Sequence, residues 1–176
     1  MERSKQNCPV ILKTGFRIFF LGAAVYTVIS MMFWLIFYVA RANIFVAMPL
    51  TVWHGHEMIF GFTMAVVAGF LLTAVMNWTG LPTLSGWPLL ALFLFWAMAR
   101  VFAFMPASFP LWPRALCDAV FLVYLCIAVM RPIIDVKQWK QSAVFSKLIL
   151  VFLCGIVFYG ALFNADLVIE RKALRF

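Results

Sequence analysis

The chain has two histidines, His54 and His56, one residue apart, and Glu57 follows at once in the stretch VWHGHEMIFGF. Imidazole suits copper, zinc and haem iron, and a nearby carboxylate can orient a ligating ring through its second nitrogen. Residues two apart in a regular helix project about 200° from one another, so helix geometry alone does not aim both rings at one ion. His54 and Glu57, three apart, share a face, as do His54 and Met58. Gly55 between the histidines lowers helix preference. Two arrangements follow. Either the histidines serve separate roles, or the first turn unwinds and a His-x-His grips a single ion. The reading without chemistry is a pair of interfacial histidines tethered to headgroups or water.

Three more ionisable residues fall within apolar surroundings: Arg100, Arg114 and Asp118. Arg114 precedes Asp118 by four residues, one helical turn on the same face. Arg100 and Asp118 can form a structural ion pair between neighbouring helices, with Arg114 snorkelling outward. An arginine here can instead hold an anionic group, such as a haem propionate, beside the histidines. No nucleophile–base pair and no phosphate-cradling loop stands out, so neither hydrolysis nor group transfer is expected.

The elements that must position these groups are membrane helices. Hydrophobic residues make up 66% of the 176 and charged residues 11%, and mean hydropathy is +1.05. A soluble domain of this size carries about 25% charged residues. Five apolar runs, near 17–40, 53–76, 87–105, 113–130 and 144–163, are long enough to span, since a helix needs about 20 residues to cross the hydrocarbon. The expected fold is therefore an all-α, polytopic helical transmembrane bundle forming one membrane domain. Pro49, NWTGLPTLSGWP (Asn77 to Pro88), PASFPLWP (Pro106 to Pro113) and Arg131-Pro132 punctuate the runs. Trp53, Trp78, Trp87, Trp112 and Trp139 fall at run ends, where indole prefers the headgroup layer.

The net charge of +8 would suggest nucleic acid in a soluble protein, but no nucleic-acid-reading motif is present. The basic residues lie between apolar runs, where they orient helices and meet anionic headgroups. Lys13, Arg17, Arg131, Lys137, Lys140 and Lys147, with Arg3 and Lys5, place the N-terminus inside. Alternating spans then gather His54, His56, Glu57, Arg100, Arg114 and Asp118 in one leaflet. Below the histidines, Glu57, Gly61, Ala65, Gly69 and Thr73 recur every fourth residue. Such a small-residue stripe admits a close helix neighbour and turns Glu57 toward protein. Cys8, Cys117, Cys126 and Cys154 form no C-x-x-C pair and read as small hydrophobes.

These segments resemble the NnrS family of bacterial membrane proteins. The similarity lies in GFRIFFL (Gly15 to Leu21), HGHEMIFGF (His54 to Phe62), GFLLTAVMNWTG (Gly69 to Gly80), GWPLLALFLFW (Gly86 to Trp96) and Arg100. It runs from about Gly15 to Pro132 and covers the N-terminal half of the family pattern, with Ile18, Met76 and Ala99 as departures. The resemblance implies a haem- and copper-containing protein of the bacterial inner membrane, involved in the response to nitric oxide and nitrosative stress. His54 and His56 match the family's paired histidines, the implied ligands, with Glu57 and Arg100 beside the cofactor. It also implies a helix–helix partner in place of the missing C-terminal half. The alternative from the residues is a non-catalytic membrane subunit or permease-like fragment, whose polar residues form a structural network.

Overall fold

A computed structural model describes residues 9–40, 49–106, 108–137 and 143–173, with side chains in the last helix described for 146–162. Arg3, Lys5, Cys8, Trp139 and Lys140 lie outside the described residues. Among those described, every regular element is helical and the fold is all-α. The chain divides into two compact units, Met1–Trp139 and Lys140–Phe176. The second unit contains α6 (Ala143–Ala173). All the ionisable residues singled out around the histidines belong to the first.

A single 3-10 turn, Val10–Leu12, leads into α1 (Gly15–Ala40), an unbroken apolar run without proline. Pro49 precedes α2 (Leu50–His56), which passes through a π-helical segment, Glu57–Thr63, into α3 (Met64–Thr79). Together these form one 30-residue rod, Leu50–Thr79. Gly80 ends it in the left-handed region at φ 69°, where its N–H reaches the carbonyl of Met76, a conformation that only glycine adopts cheaply. Gly86, also at φ 69°, donates its N–H to Leu12 O at 2.8 Å, and α4 (Trp87–Phe102) starts beyond it. α5 (Trp112–Asp135) opens with a proline in its first turn and runs on through Pro132 to Asp135. A proline so close to the helix end forfeits a hydrogen bond without breaking the span.

α1 packs along α3, α4 along α5, and α3 also meets α5. The expected stripe is the seam: Gly61, Ala65 and Gly69 are buried, and a Cβ on Gly69 would stand 2.8 Å from Phe20 Cδ2 of α1. A Cβ on Gly15 would similarly meet Leu72 Cβ at 2.7 Å, so the start of α1 lies beside the far end of the rod. Phe19, Leu72, Leu89, Leu92, Phe121 and Leu125 fill the core, while α1 turns Leu21, Val25, Val28, Met32 and Leu35 outward. An outward apolar face is an aggregation hazard in water and costs nothing in lipid.

Three helices, Gly15–Ala40, Leu50–Thr79 and Trp112–Asp135, are long and apolar enough to cross a membrane. Trp87–Phe102 and Ser146–Leu162 are shorter apolar helices. The 16 residues of α4 extend ~24 Å at the α-helical rise, short of the ~30 Å of a hydrocarbon core. Trp87 and Trp112 are 72% and 59% exposed at helix starts, as headgroup anchors are. Trp53 departs from that expectation. It is completely buried and its indole donates to Ala103 O at 2.9 Å, because the last carbonyls of α4 need a donor.

A buried ionic cluster at one end of the bundle

Four helical segments bring their ionisable residues to one place. Glu57, the first residue of the π segment, is fully buried. The phenol of Tyr26, midway along α1, donates to its Oε2, and Arg100 Nε of α4 approaches that oxygen at 3.4 Å. Arg114 Nη2, from the first turn of α5, donates to the other oxygen, Oε1. The same nitrogen lies 2.6 Å from His56 Nδ1. Arg100 Nη2 donates to Asp118 Oδ1 at 2.5 Å, and His56 Nε2 stands 3.6 Å from Asp118 Oδ2.

His56 Nδ1 lies between groups of opposite demand: Arg114 Nη2 at 2.6 Å can only donate to it, and Glu57 Oε1 at 2.9 Å can only accept from it. Two guanidinium groups and two carboxylates thus surround the imidazole. Burying ions is costly unless each is paired, and here each charge meets an opposite one on a different helix.

The π segment makes this geometry available. His56 and Glu57 are consecutive, yet both are buried in the cluster. A π turn is wider than an α turn and is often found at functional sites. Thr63 Oγ1 donates across it to Met58 O at 2.8 Å. Trp96 of α4 donates its indole N–H to Gly61 O at 2.9 Å. A Cβ at Gly61 would stand 2.5 Å from Tyr26 Cε1 and 3.2 Å from Arg100 Nη1, so only glycine leaves room for the cluster. Tyr26 also packs edge-on against Trp96, with ring centroids 5.8 Å apart.

The structure therefore brings together His56, Glu57 and Arg100 of the expected site and places His54 elsewhere. His54 lies in the regular helix α2, its ring 4.8 Å from that of Trp34 on α1. His56 stacks instead on Phe60 at 4.5 Å. Gly55 does not unwind the turn, so the two rings keep separate surroundings. Glu57 reaches His56 rather than His54. The expected Arg100–Asp118 pair is present, but Arg114 is buried on Glu57 instead of snorkelling outward. Sequence reasoning missed Tyr26. A phenol midway along an apolar run, close to the hydroxyls of Thr27 and Ser30, was its only signal.

Haem and copper, implied by the resemblance, can be tested against these side chains. His54 Nδ1 is buried with no hydrogen-bond partner among the described residues, an arrangement that suits a ligating imidazole. His56 has polar neighbours at both nitrogens. Among the described residues, no group of three or more His, Cys, Asp or Glu side chains could form a metal cage. The donor set fits a centre that takes one imidazole from this chain, not an ion gripped by both.

An all-helical bundle with spans of membrane length and a charge-balanced cluster in its core defines a helical membrane protein with a buried polar site. The family profile described as NnrS protein matches residues 10–176, and the chain belongs to the NnrS family. That match extends beyond the segments from Gly15 to Pro132 on both sides. Membership connects the chain in general terms with the response to nitric oxide. No curated protein matches the chain, and no solved structure does.

Proposed function

We propose that this chain is a haem- and copper-binding protein of the bacterial inner membrane that acts in the response to nitric oxide and nitrosative stress. The observation that carries the reading is the buried Nδ1 of His54, without a hydrogen-bond partner among the described residues, two residues along the chain from a preformed ionic cluster and within a chain of the NnrS family. A bound haem or copper would supply redox chemistry and affinity for nitric oxide. His54 would be the ligand, its ring steadied by Trp34. His56, Glu57 and Arg100 would form the charged bed beside it, held in place by Tyr26, Arg114 and Asp118. Fixed, mutually compensated charges set a constant electrostatic field without adding net charge to the site.

The test is an absorption spectrum with metal analysis of the purified full chain in detergent. A strong visible haem band is expected, and His54→Ala should reduce it while the protein still inserts. Full cofactor content in His54→Ala would remove His54 as ligand. A second reading draws on the completeness of the cluster itself. A network in which every ion meets a counter-ion is also what a non-catalytic membrane subunit would use to lock its helices. A colourless, metal-free protein would favour that reading.

A further inference from the structure

A cavity of about 700 Å³ opens at the opposite end of the first unit. It lies between the approach to α1, the end of the rod and the loop before α4, and is lined by Lys13, Thr14, Leu72, Met76, Ser85 and Trp87, among others. Gly86 N–H to Leu12 O, at 2.8 Å, and Thr83 Oγ1 donating to Leu72 O, at 2.5 Å, hold its walls. The cavity is about as large as a small-molecule site. None of the residues of the ionic cluster lines it.

The lining is arranged along the membrane normal. Lys13 lies just before the first residue of α1 and Trp87 is the first residue of α4, so both mark the level where helices leave the hydrocarbon. Lys13 is exposed, and the indole of Trp87 is 72% exposed. Met76, one turn inside the rod, makes the floor apolar together with Pro82 and Leu84 of the loop. Arg17, Arg131 and Lys137 belong to the same end, against one acid there, Asp135, among the described residues of this unit. A cation and hydroxyls at the mouth over an apolar floor match an amphiphile with an anionic head.

We infer that this cavity binds an anionic phospholipid of the surrounding leaflet, its phosphate at Lys13 and Ser85 and an acyl chain over Met76 and Leu84. The inference rests on the membrane reading of the helices and is independent of haem or copper. A Lys near an anionic headgroup gives a preference of about fivefold per contact. A soluble anion would not need the apolar floor, and a zwitterionic lipid, whose own cation offsets its phosphate, would gain less from Lys13 than an anionic one.

The experiment uses the full chain in nanodiscs of phosphatidylcholine, with spin-labelled phosphatidylglycerol or spin-labelled phosphatidylcholine as the trace probe. Motionally restricted label should favour phosphatidylglycerol by about fivefold and fall toward parity in Lys13→Gln. Met76→Trp, which fills the floor, should reduce the restricted fraction of both labels. Equal retention of the two labels by the natural chain overturns the inference, as does an unchanged preference in Lys13→Gln. If Met76→Trp keeps both labels and instead loses a coloured or redox-active small molecule, the cavity serves that ligand and the inference falls. The visible spectrum of the same nanodiscs reports on the haem reading separately, so the two can fail independently.

Discussion

At the level of single residues, Glu57 joins the cluster together. Its carboxylate takes the Tyr26 phenol and an Arg114 donor, with Arg100 close by. Glu57→Gln leaves two guanidinium groups facing a neutral amide and is expected to lower stability by about 3–5 kcal/mol, as for other broken buried pairs. A thermal melt in detergent checks this, and a loss near zero would mean that water already screens the site. Arg100 and Asp118 offer a cleaner measurement because their contact is direct, at 2.5 Å. Arg100→Leu and Asp118→Leu should each destabilise strongly, while the double substitution should cost less than their sum by roughly 0.5–3 kcal/mol. Additivity would deny the pair.

Among the elements, the rod Leu50–Thr79 governs the site because the junction of α2 with its π segment presents both His56 and Glu57 inward. Two glycines of this rod make a matched test. Gly61 is packed against Tyr26, and a Cβ there would approach to 2.5 Å. Gly61→Ala should cost about 1–3 kcal/mol as overpacking. A Cβ at Gly55 would meet nothing within 4 Å, so Gly55→Ala should be neutral or stabilise by about 0.5–1 kcal/mol through helix preference. Equal effects at the two positions would contradict the packing described here. The same comparison bears on ligation, since a Gly55→Ala protein that keeps its cofactor does not need an unwound turn between the histidines.

For the whole molecule, the arrangement of ends links function to orientation. The ionic cluster draws on the start of the rod, the end of α4 and the start of α5, while the lysine-mouthed cavity takes the start of α1 and the end of the rod. We propose five spans with the N-terminus inside, on the strength of the basic residues near Lys13, Arg17, Arg131 and Lys137. A reporter fused after Phe176 should then read external, and one placed after Lys137 should read cytoplasmic. A cytoplasmic signal after Phe176 would overturn either the count or the orientation. In this arrangement the cluster and His54 lie toward the outer leaflet, and the cavity toward the inner leaflet, where anionic lipids attract basic flanks.

Apolar run length and the rarity of charge determined the all-α class, because a backbone in hydrocarbon must satisfy its own hydrogen bonds and a helix does so locally. The same economy of charge marked Glu57, Arg100 and Asp118 as residues in need of partners, and the four-residue repeat from Glu57 to Thr73 identified the inward face of the rod. Which partners met was decided only in three dimensions. The π segment is a matter of how the rod packs against Tyr26 and Trp96, and no local preference in EMIFGFT announces it. Trp53 reads as an interfacial anchor by its position, yet the unsatisfied carbonyls at the end of α4 draw it inside. Tyr26 gave no periodic or charge signal, because a hydroxyl in an apolar helix acquires meaning only from the carboxylate that another helix presents to it. His54 and His56 are near neighbours along the chain, but helix phase sends one to Trp34 and the other into the cluster.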